Sequence, residues 1–198
     1  MSELLYEKDG PIATLTLNRP ERMNTISGPM LDELSARLLE ANADRDVRVI
    51  VLTGTGRAFC AGLDLQDASS GKGIGGGGAM GSTLDLRNAP PTVLHELDTP
   101  VICALNGGAA GYGMDLALGC DIRIASSRAK LAAAFTRRGV LPESGGTWLL
   151  PRLVGWAKAS EIIFTGRTLD ADQCLALGLV NQVVPEAELA QATRALAN

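Results

Sequence analysis

Two glycine-containing segments constrain this chain more than any other feature. They are Ala58-Phe59-Cys60-Ala61-Gly62-Leu63-Asp64-Leu65 and Asn106-Gly107-Gly108-Ala109-Ala110-Gly111-Tyr112-Gly113-Met114-Asp115. The first follows the apolar, strand-like run Val49-Ile50-Val51-Leu52, and the second follows Val101-Ile102-Cys103-Ala104-Leu105. Each then leads into a stretch that can begin a helix. Glycine permits a tight turn and leaves backbone amides uncovered. The first turn of a helix has N–H groups without intrahelical partners, at the positive end of the helix dipole. Two such groups converging on one point form an oxyanion hole, so the feature bears on chemistry as well as on fold.

The surrounding pattern is that of an α/β chain. Residues 12–17 alternate as a half-buried strand, and turn residues break the pattern over 18–24. Residues 29–41 put Met30, Leu31, Leu34, Leu38 and Leu39 on one helical face. Strands are expected over 47–52, 101–105, 120–125 and 179–184. Helices are expected over 92–97, 111–119, 157–164 and 171–177, the last two stopping at Gly166 and Gly178. Pro185 is expected in the first turn of a final helix. The early half repeats strand, turn and helix while the later half reads as helical, which predicts an α/β core with a helical appendage. In the final helix Leu189, Ala192 and Leu196 would share a face with nothing downstream to cover it. Either the chain is shortened or another subunit buries that face.

At 198 residues, with 46% apolar and 20% charged residues, the chain is long enough for one well-packed domain. A formal net charge of −4 and the lack of a Lys/Arg-rich stripe argue against nucleic acid as a partner. No uninterrupted apolar run reaches bilayer length, so no membrane partner is expected, and the N-terminus lacks the pattern of a signal peptide. Cys60, Cys103, Cys120 and Cys174 lie in apolar or small-residue contexts without metal-ligand spacing. They read as buried reduced thiols of a cytoplasmic protein. Gly71, Gly73 and Gly76 satisfy a G-x-G-x-x-G spacing, but no strand precedes them and no periodic helix follows. Residues 69–82 therefore read as a surface excursion rather than a dinucleotide site.

Few side chains are candidates for chemistry. The lone histidine, His95, has no G-x-S-x-G partner, and Ser144 in Pro142-Glu143-Ser144-Gly145-Gly146 is a poor substitute. His95 reads as a helix-side residue. That leaves carboxylates and backbone donors. Asp115 lies three residues after Tyr112 on the same helix face. Glu143 precedes a Ser-Gly-Gly turn, and Asp64 could cap a helix starting beside it. From the residues alone, each of the three reads first as a cap or surface group and only second as a catalytic candidate.

The chain resembles the crotonase superfamily, the enoyl-CoA hydratase/isomerase family. The similarity runs from about residue 12 to 184 through Leu17-Asn18-Arg19-Pro20, the two glycine segments, Cys120-Asp121-Ile122, Gly139-Val140-Leu141-Pro142, Gly145-Gly146-Thr147, Phe164-Thr165-Gly166 and Ala176-Leu177-Gly178-Leu179-Val180. The resemblance implies a single domain over residues 1–198. A spiral of ββα units would occupy about 1–150, and an incomplete helical part about 151–198. It also implies a homotrimer or hexamer and an acyl-CoA thioester as partner, with no cofactor because coenzyme A is part of the substrate. By position, the oxyanion donors would be the amides of Leu63 and Tyr112. Cys60, Ala61, Leu63, Asp64, Leu65 and Gln66 would line the CoA arm, and Arg22 would meet a CoA phosphate.

The family's hydratases use two glutamates. Their positions fall on Asp115, one methylene shorter, and on Phe135, which transfers no proton. Glu143 matches a Pro-Glu-x-Gly-Gly position from which one carboxylate serves as base in some isomerases of the family. The resemblance thus implies enolate chemistry, double-bond isomerisation or hydration, with Glu143 as principal acid/base and Asp115 assisting. The alternative from another class is a non-catalytic acyl-CoA-binding or assembly protein that keeps the fold.

Overall fold

The computed structural model describes residues 2–64, 89–142 and 144–198. The excursion expected at 69–82 and the candidates Leu65, Gln66 and Glu143 lie outside the described residues.

The strands are β1 (Leu4–Asp9), β2 (Ile12–Leu17), β3 (Val49–Gly54), β4 (Ala58–Cys60), β5 (Val101–Leu105), β6 (Gly108–Ala110), β7 (Ile122–Ser126), β8 (Lys130–Ala132), β9 (Thr168–Asp170) and β10 (Gln182–Val184). They form a larger sheet in the order β1-β2-β3-β5-β7-β10 and a smaller one in the order β4-β6-β8-β9. Three successive strand pairs, β3/β4, β5/β6 and β7/β8, each give their first strand to the larger sheet and their second to the smaller. Neighbours within each of these series pair in parallel. The chain therefore steps between the two sheets and advances by one strand per turn, which makes a spiral of ββα units. Every residue of β5 is buried, as expected of a central parallel strand covered on both faces.

The helices among the described residues are α1 (Gly28–Ala43), α2 (Pro90–Glu96), α3 (Tyr112–Gly119), α4 (Gly146–Val154), α5 (Trp156–Thr165), α6 (Ala171–Ala176) and α7 (Leu189–Ala197). In α1 the Ser27 side chain accepts from the Met30 N–H, and Met30, Leu34, Leu38 and Ala41 are buried. The apolar face is narrower than expected, because Leu39 is exposed. One side of the larger sheet, with Leu15, Leu17, Leu52 and Leu105, packs into the main core with α1, α3 and Phe59. Each such leucine contributes about 1.5–3 kcal/mol through burial.

The final helix corrects the sequence expectation. Leu189, Thr193 and Ala197 are buried, while Leu196 is half exposed. Leu189 and Ala197 pack on the other side of the larger sheet, against Ile12, Val51, Ile102, Ala104, Ile124 and Val184. The same chain thus covers this face. Pro185 stands just before a 3₁₀ turn, Glu186–Glu188, that leads into α7, so it lies outside the first turn. A cavity of about 420 Å³ between α7 and the sheet is lined by residues such as Thr14, Val51, Ala104 and Thr193, and it contains none of the sequence-predicted site residues.

Candidate active site

The two glycine segments meet backbone against backbone. Strand β4 pairs in parallel with β6, Ala58 opposite Gly108 and Cys60 opposite Ala109. Beyond the strands the contact tightens. A Cβ on Gly113 would lie 2.1 Å from the Cys60 carbonyl oxygen, so only glycine allows α3 to approach β4 this closely. Gly62 has φ +98°, and a Cβ there would lie 2.8 Å from the Ala110 carbonyl oxygen and 3.7 Å from the Tyr112 nitrogen. The turn after β4 therefore abuts the start of α3.

This contact places the two expected amides on neighbouring backbones. An isolated bridge joins Leu63 to Ile26 through Ile26 N–H to Gly62 O (2.9 Å) and Asp64 N–H to Ile26 O (3.1 Å). Neither bond uses the Leu63 N–H. Tyr112 opens α3, where the helix offers no acceptor four residues back. Gly111, just before it, donates to the Ala132 carbonyl at 2.9 Å, which fixes the entry to the helix. Phe135 is buried, and a Cβ on Gly111 would lie 3.8 Å from its ring. Phe135 thus presents an aromatic edge beside the start of α3.

Asp64 is 4% exposed and sits in an ion-pair network. Its Oδ1 lies 2.6 Å from Arg22 and its Oδ2 lies 3.3 Å from Arg19, and the Thr25 hydroxyl also donates to Oδ2 at 3.1 Å. Arg19 in turn reaches Glu3 at 3.2 Å and donates to the Thr25 carbonyl at 2.8 Å. The structure therefore brings Arg22 and Asp64 together. Asp64 holds the turn after β2 against the turn after β4, and Arg22 keeps an edge toward solvent with its side chain 33% exposed. Asn24, at φ +53° and fully buried, ties the turn after β2 to the β3–β4 connection and the start of β4. Its side chain accepts from the Arg19 N–H and donates to the Thr55 and Ala58 carbonyls.

Cys60 is fully buried, and burial pushes its thiol up to about 12. Its contribution to the segment is packing and backbone. Ala61 is half-buried and donates its N–H to the Met23 carbonyl at 3.0 Å.

Asp115 is 2% exposed, and its carboxylate reaches the turn that opens α4. Oδ2 accepts from the Ser144 hydroxyl at 2.5 Å and from the Gly146 N–H at 3.1 Å. Sequence reasoning missed this role for Ser144, which it weighed only as a nucleophile. The sequence pattern predicts no helix over 146–154, so the need for a cap at its N-cap residue Gly145, which has no side-chain acceptor, is visible only in the structure. His95 is exposed on α2 and meets the Trp148 ring edge-on at 4.8 Å between centroids. Among the described residues, no group of His, Cys, Asp and Glu is placed to hold a metal ion, and no helix is long and apolar enough to cross a membrane.

Known proteins resemble this chain in sequence and in fold. The profile of the enoyl-CoA hydratase/isomerase family matches residues 7–198. The 1,2-epoxyphenylacetyl-CoA isomerase of Escherichia coli is 42% identical across 100% of this chain and 75% of that protein. The short-chain-enoyl-CoA hydratase of Clostridium acetobutylicum is 37% identical across 100% of this chain and 75% of its own length. A solved structure of a Pseudomonas aeruginosa protein superposes with a TM-score of 0.91 at 39% identity, covering 100% of this chain and 83% of that one. With the spiral of ββα units and the paired glycine turns, these matches show that the chain belongs to the enoyl-CoA hydratase/isomerase, or crotonase, superfamily.

Proposed function

We propose that this protein processes acyl-CoA thioesters through an enolate, which the amides of Leu63 and Tyr112 stabilise at the thioester oxygen. The observation that carries the reading is the packing of Gly62 against the Tyr112 nitrogen, which sets the two donor-bearing turns side by side. Charge develops on the thioester oxygen as the α-carbon or its vinylogous position loses a proton. Backbone donors already in place meet that charge without reorganising, and losing one such donor typically costs about 3–4 kcal/mol.

Glu143 is the acid/base in this reading, moving a proton between C4 and C2 of an enoyl-CoA while the enolate is held. Asp115 assists it. Double-bond isomerisation is the favoured outcome, because Phe135 presents carbon where a second proton-transfer group would stand in a two-acid hydratase. Ala61, Leu63, Leu65 and Gln66 border the CoA arm, the buried Cys60 and Asp64 support that segment from within, and Arg22 meets a CoA phosphate with its partly exposed side chain. A homotrimer or hexamer in the cytoplasm is the assembly and location we infer for this chain.

A panel of 2-enoyl- and 3-enoyl-CoA substrates tests the reading, with product mass and double-bond position as the readout. Isomerisation leaves the mass unchanged, whereas hydration adds one water. Glu143→Gln is expected to lose activity on every substrate the wild type turns over, and full activity in that variant would sink the assignment of the base. Tight thioester binding without solvent-deuterium exchange at the α-carbon would favour a binding protein instead.

A further inference from the structure

We propose that Asp115 is a positioning residue that ties the helix beginning at Tyr112 to the turn bearing Ser144 and Gly146, and exchanges no proton with substrate. The inference deepens the function proposed above and rests on it for the identity of Glu143 as acid/base. Its foundation is the set of contacts that Asp115 makes. The carboxylate leaves the first turn of α3 and accepts both the Ser144 hydroxyl (2.5 Å) and the Gly146 N–H (3.1 Å). It thereby serves as a remote N-cap for α4, whose own cap position, Gly145, has no side chain.

Sterics agree with the hydrogen bonds. A Cβ on Gly146 would lie 2.2 Å from Asp115 Oδ1 and 2.7 Å from Cγ, so the carboxylate rests directly on the α4 backbone. It also lies at the N-terminal ends of two helices, its own and α4, where the dipoles favour negative charge. Hydrogen bonds to a carboxylate from N–H and O–H groups are the strong kind, and here they cross between elements. One side of the link starts three residues after the Tyr112 amide. The other side holds the residue that directly follows position 143 in the chain. The shorter aspartate at a position where the family's hydratases carry glutamate fits this role, because its carboxylate is held against α4.

Asp115→Asn retains a carbonyl oxygen able to accept both bonds, whereas Asp115→Ala retains none. We expect Asp115→Asn to keep kcat within about fivefold of wild type with both limbs of the pH–rate profile unmoved, and Asp115→Ala to lose about 100-fold in kcat with KM nearly unchanged. An Asn variant as inactive as the Ala variant, or one missing a limb of the profile, would overturn the proposal in favour of direct proton transfer. Hydrogen exchange at the Gly146 amide reads the link without reference to turnover. It should speed up at least tenfold in Asp115→Ala and stay near wild type in Asp115→Asn. Ser144→Ala, which leaves the carboxylate on Gly146, should lose less activity than Asp115→Ala and cover the case in which that variant fails to fold. Unchanged exchange in a folded Asp115→Ala protein would overturn the link. Faster exchange there, together with a fully active Glu143→Gln, would uphold the link and discard Glu143 as the base.

Discussion

The α-carbon of Gly113 lies against the carbonyl of Cys60 so closely that a Cβ at 113 would sit 2.1 Å from the oxygen. This contact joins the helix that begins with Tyr112 to the strand that ends at Cys60, and the relative position of the two proposed oxyanion donors depends on it. Gly113→Ala must push the helix from the strand. We expect at least about a 100-fold loss of turnover from the displaced donors and destabilisation of about 1–3 kcal/mol from overpacking. Thermal melts alongside turnover measure both, and a variant with wild-type melting and rate would show that the contact is dispensable.

Because the proposed donors are main-chain groups, side-chain truncation should reveal little of their role. Replacing the Leu63 N–H with an ester oxygen by semisynthesis is expected to lower kcat about 10²–10³-fold. Leu63→Ala, which keeps the N–H, should cost much less. Equal losses in the two proteins would place the effect in the side chain.

Asp64 neutralises two arginines from a nearly buried position. Asp64→Ala leaves Arg19 with Glu3 as its remaining carboxylate partner among the described residues. We expect destabilisation of about 3 kcal/mol, the low end for breaking a buried pair, because Arg22 stays partly solvated. Urea unfolding at neutral pH is the measurement.

Arg22→Ala should raise KM for a CoA thioester several-fold while leaving KM for the matching pantetheine thioester, which lacks the nucleotide phosphates, nearly unchanged. An equal effect on both substrates would remove the phosphate contact from the proposal.

The four cysteines are buried, and burial pushes Cys60 and Cys174 up to about 12 and Cys103 well above the ordinary thiol range. In the unfolded chain these thiols ionise from about pH 8.5. The unfolded state then binds fewer protons than the folded one, so this contribution is complete at neutral pH and is lost as pH rises toward 12. At pH 8 iodoacetamide should leave all four thiols unmodified in the native protein and modify all four in urea, as mass spectrometry can count.

Local pattern carried much of the fold. The α1 stripe of Met30, Leu34 and Leu38, the alternation of 12–17 and the wholly apolar run 101–105 each sit where periodicity places them. The three-residue strands β4, β6, β8 and β9 were not legible, because three residues are too few to show a period and their partners are distant in the chain. These strands build the smaller sheet. The same limit affects α7. Its periodicity could not choose between Leu196 and Thr193 as the inward residue, because the facing surface of Ile12, Ala104 and Ile124 comes from three separate strands.

The candidate site divides along the same line. The sequence by itself determined where amides would be exposed and where backbones could touch, because glycine's freedom is a local property and the motif order that marks the family is linear. It also placed Asp115, Glu143 and Asp64 as the carboxylates worth weighing. Only the tertiary structure decided that Asp64 is committed to Arg19 and Arg22, and that Asp115 is committed to Ser144 and Gly146. A buried carboxylate takes its role from the donors that surround it. Those donors arrive from segments about thirty to forty-five residues away, and no local pattern in the chain specifies which of them will be within reach.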